Sequence, residues 1–241
     1  MRDPPRAADG SRGASGAQTI DVVSAKLQAI RQLVDDELRA CGRAAGSVTI
    51  VGVSKKQPPE AVRAAIDAGL ADIAENYLQE AKAKFAELAA VRKHFIGHLQ
   101  TNKAKAVAEL FDVVQSVDRI EAGAALSKAA QGLGKVLPVL LQINVSPTER
   151  FGCPPQQAER LAEALRGLPG LRPDGVMAIG PDTADSDEIS KAFELAAKTF
   201  DRVGGSTLSI GMSGDWRQAV RAGSTMIRLG TALFGSRNAA P

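Results

Sequence analysis

Two adjacent lysines, Lys55 and Lys56, close the apolar run Val48-Thr-Ile-Val-Gly-Val-Ser54, and Pro58-Pro59 follow at once. A lysine where strand gives way to loop is a candidate nucleophile. Partial burial or a neighbouring cation lowers its ammonium pKa, and the neutral amine attacks a carbonyl to form a Schiff base. Alternation does not choose between the two lysines, because a strand of a parallel sheet is apolar on both faces. Far along the chain stand two glycine-bearing turns, Ser209-Ile-Gly-Met-Ser-Gly-Asp-Trp216 and Arg228-Leu-Gly-Thr-Ala-Leu-Phe-Gly235. Glycine permits close backbone approach to an anion, and free N–H groups at a helix start face it favourably. Ser213 would add a hydroxyl, and Gly214, Gly230 and Thr231 amides, so the turns read as a phosphate site.

The remaining chemistry-bearing residues point elsewhere. Cys41 and Cys153 are far apart in sequence, in unlike contexts, and fit neither a disulfide framework nor zinc-ligand spacing. His94 and His98 are spaced four apart, but Phe95-Ile96-Gly97 between them reads as a strand end, and no metal site is expected. The net charge of +3 is mild, and the basic residues Lys82, Lys84, Arg92, Lys93, Lys103 and Lys105 read as a solvated helical face, with no nucleic-acid partner. The first 17 residues lack an apolar core, so residues 1–19 are expected as a disordered tail and not a secretory signal. No stretch reaches the length and apolarity of a membrane span, which points to a cytoplasmic protein.

Elements that would position the lysine and the turns follow from periodicity. Val23, Leu27, Ile30, Val34 and Leu38 recur at helical spacing from Ile20 to about Ala44. After the lysine strand come a helix from Pro58 to Ala68, closed by Gly69, and a short strand at Asp72–Asn76. Asn76 and Gln79 resemble a capping signal for a helix from Tyr77 to Ala90. Strands are then predicted at His94–Gly97, Asp112–Ser116, Val139–Val145, Gly175–Ile179, Thr207–Gly211 and Thr225–Leu229, each followed by a helical segment, with Asp118 and Glu121 as a further cap. Eight such units in about 190 residues point to a single α/β domain, a (β/α)8 TIM-type barrel over residues 20–237 with an additional N-terminal helix and a short tail at 238–241. A doubly wound open sheet is the fallback. The strand ends of a barrel would bring together Lys55, Asn76, His98, Ser116, Asn144, Met177, Ser213 and Arg228.

A lysine for an aldehyde plus a phosphate cradle describes pyridoxal 5'-phosphate (PLP), and equally a Schiff-base aldolase acting on a sugar phosphate. At Val53-Ser-Lys55, Glu75-Asn-Tyr77, His94-Phe-Ile-Gly97, Gln142-Ile-Asn144, Met177-Ala-Ile179, Gly211-Met-Ser213 and the run from Gly223 to Gly235, the chain resembles the pyridoxal-phosphate homeostasis protein family, related to the barrel domain of alanine racemase. The resemblance implies that Lys55 forms the internal aldimine with PLP. It also implies that Ser213, Gly230 and Thr231 hold the phosphate, that Arg228 faces the pyridine nitrogen, and that Asn76 lies near the cofactor. Departures fall at Ala74, where the family usually has glycine, at His98, and at Glu149-Arg-Phe-Gly152, where Arg150 keeps the charge of a usual lysine.

The resembled family binds PLP and keeps its free concentration in check, with no established turnover, which makes PLP-dependent apoenzymes the expected recipients. A weak amino-acid racemase is the runner-up. Arg228 cannot give the ring a proton, and two-base racemisation needs a second acid/base. The sole tyrosine, Tyr77, reads as an aromatic packing on the barrel rim. A pure interaction module is the third class. Without a racemase-like second domain in the sequence, a monomer is expected.

Overall fold

The computed structural model describes residues 11–86, 88 and 91–235. Eight parallel strands close into a barrel in sequence order. They are β1 (Thr49–Val53), β2 (Asp72–Glu75), β3 (Arg92–Phe95), β4 (Val113–Val117), β5 (Leu137–Ile143), β6 (Leu171–Ala178), β7 (Thr207–Ser209) and β8 (Met226–Leu229). Closure is made by β8 against β1, with Val51 in register with Arg228 and Gly52 with Leu229. The open-sheet fallback is thereby excluded.

Helices α2 (Pro59–Asp67), α3 (Leu78–Phe85), α4 (Ala104–Leu110), α5 (Ile120–Gly132), α6 (Ala158–Arg166), α7 (Ser186–Val203), α8 (Trp216–Arg221) and α9 (Thr231–Phe234) alternate with the strands, after α1 (Ser11–Ala40). The main core lies between the strands and this helical ring, where Val62, Ile73, Phe111, Val114, Leu126, Leu141, Leu165, Val176, Phe193 and Ile227 are fully buried. Pro59 opens α2, where its missing N–H is no loss. Gly69, at φ +90°, closes it as expected, its N–H donating to the Ile66 carbonyl at 2.8 Å.

Helix α1 lies against α2, α8 and α9. Val23, Leu27, Val34 and Leu38 are buried on its inner face, as their spacing predicts. Its arginines and those facing it tie it down: Arg31 donates to the Gly69 carbonyl at 2.7 Å, and Arg221 to Glu37 at 2.6 Å. The helix differs from expectation at both ends. It begins at Ser11 instead of Ile20, so residues 11–19 are helical and not a disordered tail, and it stops at Ala40 before Gly42 turns to φ +70°. Extending an existing helix costs far less than starting one, so a helix fixed by its apolar stripe continues outward past the last residue of the periodic pattern. Residues 1–10 and the expected tail at 238–241 lie outside the described residues.

Two expected caps are replaced. Tyr77, not Asn76, precedes α3, with no side-chain cap. Arg119 precedes α5, and Asp118 pairs with the Arg119 guanidinium at 2.7 Å instead. The basic run divides too. Lys82, Arg92, Lys103 and Lys105 are exposed and Lys93 is half-buried, but Lys84 is buried, because two carboxylates and a carbonyl converge on its ammonium.

Inside the barrel, Val51, Val53, Ala74 and Met226 form an apolar cluster with Ile96 against them. A polar row runs beside it. Arg228 Nη1 donates to Ser209 Oγ at 2.7 Å, Ser209 Oγ to Gln115 Oε1 at 2.7 Å, and Gln115 Nε2 to His94 Nδ1 at 2.8 Å. His94 Nε2 donates in turn to Asp72 at 2.8 Å, which also accepts from Arg92 at 2.5 Å. Because Nδ1 accepts, the His94 proton sits on Nε2. Burial holds the imidazole below its ordinary pKa, against the pull of Asp72. Burial pushes the Asp72 carboxyl upward, but hydrogen bonds from His94 and Arg92 outweigh it and bring its pKa below the usual value.

Candidate functional site

A cavity of about 320 Å³ opens at the C-terminal ends of the strands, within the range of about 300–1,000 Å³ usual for small-molecule sites. Lys55, Asn76, Ser213, Arg228, Gly230 and Thr231, six residues from four strand ends, all line it. Val53, Ile96, Met177, Ile179 and Met212 form its apolar walls.

Lys55 occupies the turn after β1, which the Gln57 N–H closes by donating to the Ser54 carbonyl at 3.0 Å. Lys56 follows at φ +58° and is exposed, whereas Lys55 is partly buried and faces the cavity. The sheet could not distinguish the two lysines; the turn does.

Asn76 enters from the end of β2. Its Oδ1 is buried and has no hydrogen-bond partner. Gly97 lies directly behind it, since a Cβ there would come within 2.0 Å of the Asn76 carbonyl oxygen. The three residues of Glu75-Asn76-Tyr77 have three separate destinations: Glu75 turns out to Lys84 at 2.9 Å, Asn76 turns into the cavity, and Tyr77 is 56% exposed, not packed on the rim.

The two turns meet as their positions suggested. Ser213 Oγ accepts from the Gly230 N–H at 3.2 Å and the Ala232 N–H at 3.1 Å, joining the loops after β7 and β8. Gly211 has φ +96°, and a Cβ there would lie 2.5 Å from Ala219, so only glycine allows α8 so close. Gly214 faces open space.

Arg228, buried on β8, donates to the Ser209 carbonyl at 2.7 Å and to the Ala178 carbonyl at 2.8 Å. Burial lowers its pKa to about 10, partly offset by the Asp215 carboxylate, so it stays cationic at neutral pH. Burial raises the Asp215 carboxyl above its usual range, against the Met212 N–H and Arg228.

Of the wider set expected to converge, Met177 joins this cavity. Asn144 lines a neighbouring one of about 470 Å³ with Gln142, Glu149, Arg150 and Phe151, the two sharing Ile179. His98 stacks on Phe151 with centroids 3.9 Å apart. Ser116 is buried, with its Oγ unpaired, and lines neither cavity. Sequence reasoning missed Ser209 and Gln115, the partners behind Arg228. Their signal was polarity within otherwise apolar strands. Among the described residues no group of three or more His, Cys, Asp or Glu could hold a metal, Cys41 and Cys153 are free, and no helix is long and apolar enough to cross a membrane.

A closed parallel barrel with a lysine after its first strand and joined glycine turns after its last two defines a class, and the family described as alanine racemase, N-terminal domain, matches residues 26–238. Within that class the chain belongs to the pyridoxal phosphate homeostasis protein family. It is 41% identical over 224 residues to the pyridoxal phosphate homeostasis protein of Pseudomonas aeruginosa, covering 91% of this chain and 97% of that one. PipY of Synechococcus elongatus, whose structure is solved with and without PLP bound, is 32% identical with a TM-score of 0.78, over 88% of this chain and all of its own. Alanine racemase of Clostridium difficile shares the fold, at 14% identity and a TM-score of 0.67, over 86% of this chain and 56% of its own.

Proposed function

We propose that this chain is a cytoplasmic PLP carrier, binding the cofactor covalently through Lys55 and contributing to vitamin B6 homeostasis without turning over a substrate. The convergence of Lys55 with the Ser213 and Gly230–Thr231 turns in one cavity carries this reading. When bound, PLP supplies an aldehyde that a primary amine joins with loss of one water.

The residues present fit the cofactor. Lys55 is the amine. The Ser213 and Thr231 hydroxyls are neutral donors suited to a phosphate, the Gly230 N–H orients the Ser213 oxygen, and Gly214 leaves room in front of them. Asn76 Oδ1 is a buried acceptor awaiting a donor. Arg228, fixed by two carbonyls and Ser209, would hydrogen-bond a ring nitrogen and yield no proton to it, which keeps the ring a weak electron sink. The ionisable groups lining the cavity among the described residues are Lys55 and Arg228. Racemisation requires a further acid/base opposite the lysine, and this favours the carrier over the racemase. PLP-dependent apoenzymes would be the recipients.

The test is a visible spectrum before and after PLP addition, followed by borohydride reduction and mass analysis. A pyridoxyl group fixed on Lys55 in the wild type and lost in Lys55→Ala is expected. A wild-type protein with no fixed pyridoxyl group, or measurable racemisation of an L-amino acid abolished in Lys55→Ala, would overturn the reading.

A further inference from the structure

Lys55 is gripped from both sides by groups that never reach the cavity. The carbonyl of Ser54, in the peptide bond preceding Lys55, accepts from Lys84 Nζ, and the N–H of Lys56, in the peptide bond following it, donates to Glu80 Oε1. Lys84 and Glu80 are themselves paired at 2.7 Å. Lys84 spends its remaining donor on Glu75 at 2.9 Å, and Glu75 also accepts from Ser54 Oγ at 2.8 Å. A lysine ammonium has three donors, and all three are used.

We propose that Lys84 and Glu80 are positioning residues that aim Lys55, an inference that rests on the PLP-binding reading above. The physical reason lies in the turn. Lys56 adopts a left-handed backbone, in which a residue with a Cβ is strained. A bond on each flanking peptide holds the turn in that strained form, sending Lys56 outward and leaving Lys55 toward the cavity. Lys84, four residues after Glu80 on α3, makes the helix behind the barrel the template for the loop in front of it. Charge assistance strengthens each bond, and burial of Lys84 and Glu75 keeps water from competing. Loosening the grip should weaken the covalent step and spare the phosphate contacts, which belong to the loops after β7 and β8.

Glu80→Ala, Glu80→Gln and Lys84→Met, each checked for fold by circular dichroism, would be titrated with PLP and with pyridoxine 5'-phosphate, whose alcohol cannot join an amine. Glu80→Ala and Lys84→Met should lose about tenfold in PLP affinity and in pyridoxyl fixed by borohydride, while pyridoxine 5'-phosphate affinity stays within about twofold. Glu80→Gln, which keeps an oxygen for the Lys56 N–H, should restore most of the loss. Equal loss for both ligands, or no loss for PLP, would overturn the proposal. If Lys84→Met fails to fold because Glu75 is left buried without its cation, Glu80→Ala decides. Failure of PLP binding itself would show in the wild type, which would carry no fixed pyridoxyl group.

Discussion

At the scale of single residues, the site depends on side chains that sequence alone places and others that it does not. Gly97 is a sharp case, since a methyl group there would collide with the Asn76 backbone. Gly97→Ala is expected to lower stability by about 1–3 kcal/mol in urea unfolding and to weaken PLP binding by displacing Asn76. Unchanged unfolding and binding would contradict that geometry. Lys55 was visible as a reactive candidate because strand end, lysine and helix start fall together. Its distinction from Lys56 comes from the family resemblance and not from the strand pattern, because the turn between them involves a φ angle and bonds to Glu80 and Lys84, more than twenty residues away. Asn76 was misplaced as a cap for a related reason: Asn followed by Gln scores as a capping signal, but an unpaired buried oxygen is invisible until the fold exists.

At the scale of elements, strands and helices were legible because a helical ring around parallel strands forces outward strand positions to be apolar. What could not be read was the inward face, where Asp72, His94, Gln115, Ser209 and Arg228 from five strands form one row. Each looks like an isolated exception in its own strand, and only closure brings them together. The row has a consequence for pH. His94 binds a proton less readily folded than unfolded, so the unfolded chain holds more protons once pH drops below 6.5, and stability falls with it. Asp72, with a lowered pKa, adds its loss only below 3.8, whereas Glu75, raised by burial before Lys84 and Ser54 pull it back, works the opposite way above 4.5. The urea midpoint of the wild type should therefore drop from about pH 8 to about pH 5.5 by more than that of His94→Gln. Equal drops would show that His94 is not the titrating group.

At the scale of the molecule, the barrel was legible from eight repeats of strand and helix, and α1 from its stripe, but the start of α1 was not, because helix propagation leaves no periodic signal, and its end is set by the turn at Gly42. A monomer is proposed, with sedimentation velocity as the check; a dimer at micromolar concentration would overturn it. The polar row spans the barrel from the cofactor-side cavity at Arg228 to the opposite mouth, where His94 and Arg92 line a second cavity. From Arg228 to Asp72 every donor points the same way, from the cation to the carboxylate. Passing a proton along such a row would require every member to reverse in turn, and the Gln115 amide does not give up its N–H protons at ordinary pH. The row is thus a chain of aligned bond dipoles, which polarise one another from the Arg228 cation to the Asp72 carboxylate, and not a proton wire.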